Sequence, residues 1–279
     1  MSFSIIVDSC CDLTPEMRAD PVFRSIPLTI RVGGKDYVDN QALDTSLLIY
    51  AMDESPDASS SSCPAPGDYL DAYRQAQGDD IYVVTLSALL SGSHNSAWQA
   101  RQMFLEEQPD RNIHVFNSCS ASAGEVLLAR KIDELAKAGV PFDQVVAQAE
   151  KAVADSNTLF VLENLDNLRK NGRLTKVQAM LTGALRIKLI MGSTPKGEIC
   201  KRGQALSIKQ ALSKLVDLMA ADQRHMGKVL YIAQCLCPDR AQLLWELAQK
   251  SCQFTGVVIT ATRGLSSYYA NRGGIIAAY

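Results

Sequence analysis

Two short segments of the sequence combine serine hydroxyls with glycine or proline, and each could bind an anion. The first is Leu90-Ser91-Gly92-Ser93, which lies between a predicted strand and a predicted helix. Free backbone N–H groups at a helix start attract anions, and a glycine lets the backbone come close. The second is the run 61–68, SSCPAPGD, where two serines precede a rigid Pro-x-Pro. A carboxylate or a phosphate fits this chemistry, although helix capping and an ordinary surface loop remain alternatives.

Nucleophilic catalysis is the competing interpretation of the same residues. Ser91 is followed by His94, and Cys63 offers a thiol, so a serine- or cysteine-dependent acyl hydrolase or transferase is the alternative function. However, the G-x-S-x-G pattern of a nucleophile elbow is absent, and the sequence identifies no acid to orient the histidine. The sequence also has neither a Walker A loop nor G-x-G-x-x-G, so nucleotide binding has no support.

The cysteines and histidines do not form a metal-binding pattern. There are eight cysteines and three histidines. Cys10 and Cys11 are adjacent, Cys235 and Cys237 are separated by one residue, and the histidines are scattered, so neither a zinc site nor a disulfide framework fits. We therefore predict reduced cysteines, no metal and no cofactor.

Strands that alternate with helices should position the serine loops. Buried strands are predicted at 4–7, 24–32, 80–86 and 112–116, and helices at 95–105, 125–138 and 141–155. This alternation favours a parallel sheet. Because ligands bind beyond the carboxyl ends of parallel strands, the loop after 80–86 is well placed for a site.

The character of the chain changes after Asp155. Further strands are predicted at 158–162, 187–191, 198–201, 228–235 and 256–260, with helices at 207–221 and 238–251. Loops are predicted at 54–66 and, with basic residues, at 168–173. We expect an α/β protein of two domains, 1–155 with a parallel sheet and the anion-binding loops, and 156–279 with the further strands and helices.

Composition and charge exclude several classes of protein. Apolar residues make up 47% and the formal net charge is −2, with no run of five or six like charges, so a nucleic-acid footprint is absent. No stretch approaches the roughly 18 apolar residues of a membrane helix. The first residues, MSFSIIVD, do not read as a secretory signal. The expected location is the cytoplasm.

Six short motifs occur in order along the chain: VDSCCDL at 7–13, IPLT at 26–29, SSCPAPGD at 61–68, LSGSHNSA at 90–97, NLDNLRKNGR at 164–173 and IKLI at 187–190. Together they resemble the DegV family of bacterial fatty-acid-binding proteins, which are related to the binding subunits of fatty acid kinase. The family's counterparts are VTDSTADL for the first motif, TSQPSPGD for the third, LSGTYQSA for the fourth, a basic glycine-arginine turn for the fifth and IKPIL for the sixth. The resemblance also implies a mixed sheet in 156–279.

The resemblance implies a two-domain DegV-like fold with one long-chain fatty acid in an apolar tunnel between or beside the domains. The protein would bind this acid without transforming it. The implied carboxylate-binding residues are Ser61, Ser62, Ser91, Gly92 and Ser93, since each substitution relative to the family keeps a hydroxyl. A fatty acid kinase subunit is the implied partner.

The resemblance also identifies residues with less certain roles. The family often carries a histidine in a C-terminal HxGPG loop, whereas this chain reads YYANRGG at 268–274. Asn271 and Arg272 are the candidates to support the head group in its place. Arg173 and Arg202 resemble arginines that dock the kinase, with solvated surface arginines as the alternative.

Overall fold

The computed structural model describes residues 2–55, 59–174 and 187–279. The described strands are β1 Phe3–Asp8, β2 Phe23–Ile26, β3 Thr29–Val32, β4 Lys35–Val38, β5 Ser60–Ser62, β6 Asp80–Thr85, β7 Asn112–Asn117, β8 Thr158–Val161, β9 Lys188–Ser193, β10 Ile199–Ala205, β11 Val229–Gln234, β12 Gly256–Ala261 and β13 Ile275–Ala278. The described α-helices are α1 Pro15–Ala19, α2 Thr45–Glu54, α3 Pro66–Arg74, α4 Ser93–Glu107, α5 Ala123–Lys137, α6 Phe142–Asp155, α7 Asp166–Lys170, α8 Ile208–Ala221, α9 Pro238–Ser251 and α10 Gly264–Ala270. No described helix has the length and apolar character needed to span a membrane.

The first sheet is parallel throughout, with strand order β2-β1-β6-β7. Its central strands are apolar and buried on both faces, as a covered parallel sheet requires: every residue of β6 is buried. The prediction of a parallel sheet is therefore confirmed. The loops after β1, β6 and β7 leave the same edge of this sheet.

A three-stranded antiparallel sheet, β4-β3-β5, lies beside the parallel sheet. The single strand predicted at 24–32 is wrong, because the chain leaves the parallel sheet after Ile26 and starts β3 at Thr29. Pro27 lies at the break, where its missing N–H cannot support a continuous ladder. The loop predicted at 54–66 is also wrong in part, since it contains β5; residues 56–58 of that loop lie outside the described residues.

The second large sheet is mixed, in the order β10-β9-β8-β13-β11-β12. Its pairs are antiparallel except β11 with β12. Its central strand, β13, was not predicted, because four apolar residues after a Gly-Gly turn give little periodic signal. The basic loop predicted at 168–173 is wrong at its start, where Asp166–Lys170 is helical.

Helix α5 connects the two large sheets. It contacts β1 and β6 of the parallel sheet and β11 and β13 of the mixed sheet. Val126, Ala129 and Ile132 of this helix are fully buried in one apolar cluster that includes residues from both sheets. The strands of the parallel sheet all precede Asp155 and those of the mixed sheet follow it, while the apolar core is continuous across this position.

Candidate functional site

A cavity of about 110 Å3 lies between the carboxyl ends of the parallel strands and the mixed sheet. This is several times the roughly 10–15 Å3 that one water needs. Most of its wall is apolar, formed by Leu28, Leu86, Leu90, Phe160, Leu162, Leu168, Ile199, Leu265, Ala270 and Ile276. The cavity can therefore take an elongated apolar group at little desolvation cost.

Ser61 and Ser91, the serines predicted from two separate loops, both line this cavity together with Tyr269 and Arg173. Contacts connect three of these side chains. Ser61 Oγ lies 2.8 Å from Tyr269 Oη, and the Arg173 guanidinium lies over the Tyr269 ring, 5.8 Å from its centre. Arg173 Nε also donates to the carbonyl of Leu90, the residue before Ser91, at 3.1 Å. The wall is mostly apolar, and its other polar residues are Ser120, Ser122, Thr158, Ser193, Glu198 and Ser266.

The register of β5 separates the two predicted serines of the second loop. Ser61 pairs with Ile30 and Ser62 with Thr29 of β3, and neighbouring residues of a strand point to opposite faces. Ser61 is half-buried and faces the cavity, whereas Ser62 is exposed and does not line it. Of the two serines predicted as ligands, Ser61 therefore lies on the cavity wall and Ser62 does not.

The turn before α4 divides its three predicted residues in a similar way. Ser91 lines the cavity, and its Oγ accepts a hydrogen bond from Ser93 N at 3.2 Å. Gly92 is exposed on the outer side of the turn. Ser93 is fully buried, and its Oγ donates to Asp8 Oδ2 at 2.7 Å and lies 2.6 Å from Tyr69 Oη. Ser93 therefore fixes the start of α4 and does not reach the cavity.

The Arg173 guanidinium is held on the cavity wall by hydrogen bonds that a solvated surface arginine would not make. Besides the Leu90 carbonyl, its Nη1 donates to Asn171 O at 2.6 Å. Asn171 Nδ2 in turn donates to Tyr268 Oη at 2.8 Å, which ties the segment after α7 to α10. The family resemblance predicted that Arg173 docks the kinase, away from the pocket. The structure has Arg173 on the cavity wall beside Tyr269.

The other predicted residues lie away from the cavity. Asn271 Nδ2 donates to Asn164 Oδ1 at 3.3 Å, and Arg272 is exposed. Arg202 is exposed and donates to Ser193 O at 2.7 Å. Tyr269 was missed as a site residue, although it belongs to the segment where the family resemblance expects a histidine. Tyr269 lies in the last turn of α10, whereas the predicted Asn271 and Arg272 follow that helix.

Buried carboxyl groups hold the loops that surround the cavity. Asp8 accepts from Cys10 N at 3.1 Å and from Leu86 N at 3.0 Å. Asp12 accepts from Ser122 Oγ and from Arg263 N, both at 2.5 Å. Burial raises the pKa of Asp8 to about 6 and that of Asp12 to about 7, with these hydrogen bonds opposing the shift.

Glu125 completes this cluster at the start of α5. Its Oε1 accepts from Ser122 N at 3.2 Å, while its Oε2 is buried without a partner among the described residues. Burial raises its pKa well above the ordinary value, and the Asp8 charge adds to the shift. Asp8, Cys10 and Glu125 have ligand atoms within 4.8 Å of one another. Because burial favours the protonated form of each group, a retained proton suits this cluster better than a metal ion.

The geometry gives little support to covalent catalysis. Within the described residues, the hydrogen bond of the His94 ring is between Nδ1 and Thr85 Oγ1 at 3.1 Å, so His94 does not bond Ser91. Burial lowers the pKa of His94. Cys63 is exposed on the outer side of its loop. These residues lack the base and orienting acid that a nucleophile needs.

Fold and site together define an α/β protein with an internal apolar cavity that carries hydroxyl groups and a guanidinium on its wall. A family model described as "uncharacterised protein, DegV family" matches residues 2–269. A DegV domain-containing protein of Streptococcus gordonii is 34% identical over 281 residues, covering 100% of this chain and 99% of the relative. The chain belongs to the DegV family.

Solved structures agree with this assignment. A DegV family protein from Ruminococcus gnavus, refined with vaccenic acid, has 44% identity and a TM-score of 0.96, with full coverage of both chains. The Streptococcus pneumoniae fatty acid kinase B3 protein, loaded with linoleic acid, has 34% identity and a TM-score of 0.92, covering 100% of this chain and 99% of that one. The predicted α/β fold is confirmed by these similarities.

Proposed function

We propose that this protein binds one long-chain fatty acid in the cavity between its sheets and does not transform it by itself. The observation that carries the proposal is the distribution of groups on the cavity wall. Each buried methylene contributes about 0.8 kcal/mol, so the apolar wall supplies most of the affinity. The carboxylate cannot be buried unpaired, and Ser61, Ser91, Tyr269 and Arg173 offer it donors. The fatty acids named for the two solved relatives support this ligand class.

Titration of delipidated protein with a fluorescent fatty acid tests the head-group assignment. We expect Ser61→Ala and Ser91→Ala each to weaken binding by about 0.5–1.5 kcal/mol, and by more where the lost hydrogen bond to the carboxylate is charge-assisted. Native mass spectrometry of gently purified protein should show an adduct of acyl-chain mass.

Ser62→Ala is the matched control, since Ser62 is the exposed neighbour of Ser61 on the same strand. It should leave the affinity unchanged. Equal losses in all three variants, or no loss in any, would contradict a head group held at Ser61 and Ser91. A protein that carries no lipid and ignores added palmitate would contradict the function itself.

We further propose that the loaded protein acts in the cytoplasm and presents its fatty acid to a kinase. The pneumococcal relative is named as a fatty acid kinase component, and all eight cysteines here are free thiols. Arg202 is exposed and available to a partner, while Arg173 lies beside the cavity wall.

An assay of acyl phosphate formation with a purified fatty acid kinase subunit and ATP tests presentation. Arg202→Ala should reduce the rate without changing fatty-acid affinity. Arg31→Ala is the control, because Arg31 is an exposed arginine of the three-stranded sheet paired with Asp36. A loaded protein that never supports phosphorylation would count against presentation while leaving fatty-acid binding intact.

A further inference from the structure

A second cavity, of about 480 Å3, has three arginines on its wall. It lies between the loop after β1, helix α1, strand β2 and the segment after β4, and none of its lining residues lines the fatty-acid cavity. Arg18, Arg24 and Arg263 come from three different elements. Its volume is within the roughly 300–1,000 Å3 of small-molecule sites.

The three guanidinium groups are held by neutral oxygen atoms. Arg18 Nη1 donates to Leu13 O, Arg24 Nη1 donates to Gln75 Oε1 at 2.7 Å, and Arg263 Nη2 donates to Asn40 O at 2.6 Å. None of them forms an ion pair with a carboxylate in the part of the chain that the structure describes. Because a guanidinium carries five N–H donors, Arg18 and Arg263 retain donors for a ligand in the cavity. Arg24 lies on the opposite face of β2 from Phe23 and Ser25, and its guanidinium points to Gln75, which does not line the cavity.

Three carboxyl groups lie near these arginines: Asp39 on the wall, Asp12 behind Arg263 and Glu16 on α1, and the charges of Asp12 and Glu16 partly offset that of Arg18. Asp39 lines the cavity, but its two oxygens accept from Gly264 N and Leu265 N, each at 2.8 Å, and burial raises its pKa. Asp12 lies behind Arg263 and accepts from its backbone N–H. Burial, followed by the charge of Arg263, lowers the pKa of Arg18, as expected for two guanidiniums near each other. They remain positive at neutral pH.

We propose that this second cavity binds a phosphate monoester, with the phosphate on Arg18 and Arg263. Phosphate matches a cluster of guanidiniums because its oxygens accept paired N–H donors and its charge offsets theirs. The polar side chains of Ser9, Asn40 and Gln41 and the ring of Phe23 also line the cavity. These surround the remaining volume, which an organic group attached to the phosphate would occupy.

Calorimetric titration at low ionic strength tests the site with glycerol 3-phosphate, inorganic phosphate and glycerol. We expect binding of glycerol 3-phosphate, weaker binding of inorganic phosphate and none of glycerol. Arg18→Gln and Arg263→Gln should each weaken the binding of glycerol 3-phosphate by about tenfold or more, since each removes a charge-assisted contact. Arg24→Gln should change it less, because the Arg24 guanidinium bonds Gln75 outside the cavity.

Arg130→Gln is the control, because Arg130 is an exposed arginine of α5 paired with Glu134 at 3.1 Å. It should bind glycerol 3-phosphate as the unaltered protein does. Sedimentation with phosphatidic acid vesicles, against phosphatidylcholine vesicles, separates a lipid phosphate from a soluble one; an Arg18-dependent signal in either arm supports a phosphate monoester. Absence of binding in both arms, binding unaffected by both the Arg18 and the Arg263 variant, or binding of pentaglutamate in place of phosphate overturns the proposal. Fatty-acid affinity is measured in parallel and should not change.

Discussion

At the scale of single residues, three buried aspartates serve as connectors between loops. Asp8 holds the loops after β1 and β6, Asp12 holds the starts of α5 and α10, and Asp39 accepts the first two N–H groups of α10. Each carboxyl replaces backbone hydrogen bonds that an irregular loop cannot make. Burial raises the pKa of all three, so these connections carry a pH dependence.

Asp12 should make the free energy of unfolding depend on pH. Its pKa rises from 3.8 to about 7 on burial. The folded protein thus binds this proton more tightly than the unfolded chain, and the resulting stabilisation is present below about pH 4 and lost as pH rises through about 7. Between about pH 4 and 7, the free energy of unfolding measured with urea should fall for the unaltered protein relative to Asp12→Asn. The expected fall is about 1.4 kcal/mol for each increase of one pH unit.

Asp222→Asn is the control for this pH experiment. Burial acts to raise the pKa of Asp222, but hydrogen bonds from Arg224 outweigh it and lower the pKa to about 2. The ionised Asp222 carboxylate stabilises the folded protein, and this stabilisation is lost only as pH falls through about 2. The difference in the free energy of unfolding between Asp222→Asn and the unaltered protein should therefore be constant between about pH 5 and 8. A constant difference for Asp12→Asn as well would show that Asp12 is ionised in the folded protein.

Residue types in the two serine loops could be predicted from the sequence, but side-chain directions could not. Ser61 and Ser62 have the same chemistry, and the pairing of β5 with β3 decides which faces the cavity. Ser93 has a hydroxyl like Ser91, but it is taken by Asp8, which is 85 residues away in the chain. Such partners are set by tertiary packing, and no local pattern records them.

At the scale of elements, the turn between β9 and β10 closes one side of the fatty-acid cavity. Gly197 has a φ of +85°, and its carbonyl accepts from Ser87 Oγ at 2.8 Å. A Cβ added at Gly197 would lie 2.3 Å from Ser87 Oγ and 2.9 Å from Cys119 Cα. The turn therefore packs directly on the loops that follow β6 and β7.

Gly197→Ala should destabilise the protein and weaken fatty-acid binding. Positive φ costs a non-glycine residue roughly 1–2 kcal/mol, and the contact with Cys119 backbone adds to this cost. Gly34→Ala is the control, since Gly34 has a φ of +76° with nothing within 4 Å of the added Cβ. Thermal unfolding should show the larger loss at Gly197. Equal losses would mean that the turn does not pack on Cys119.

Long, periodic elements were predictable, and short ones were not. Helices α8 and α9 begin within one residue of their predicted starts, as expected for amphipathic segments with clear starts. By contrast, β5 and β13 have three and four residues, and their neighbours come from distant parts of the sequence. A strand this short is defined by the strands beside it.

At the scale of the whole molecule, α5 makes the two sheets depend on each other. It covers the parallel sheet with one side and the mixed sheet with another, and its apolar residues belong to a cluster shared by both. We propose that 1–155 and 156–279 are two sheet units of one cooperative structure. The family resemblance supplied this overall arrangement, whereas periodicity alone indicated only alternating elements.

A fragment of residues 1–155 tests this dependence. Because the fragment lacks β11 and β13, the side of α5 that contacts these strands would be exposed, and we expect the fragment to aggregate or to bind an apolar dye, and to lack a sharp thermal transition. The full chain is the control and should unfold in one step. A fragment that unfolds cooperatively and stays monomeric would show that the first unit is independent.

Arg173 has a consequence for which lipids the cavity can accept. Its guanidinium is held against Tyr269 and two carbonyls by the wall itself, so its position does not depend on the ligand. A methyl ester or an alcohol with the same tail would satisfy the apolar surface but would offer this guanidinium no carboxylate of its own. We therefore expect the protein to bind free fatty acids more tightly than esterified lipids of equal length. It would select its ligand by ionisation state as well as by hydrophobicity.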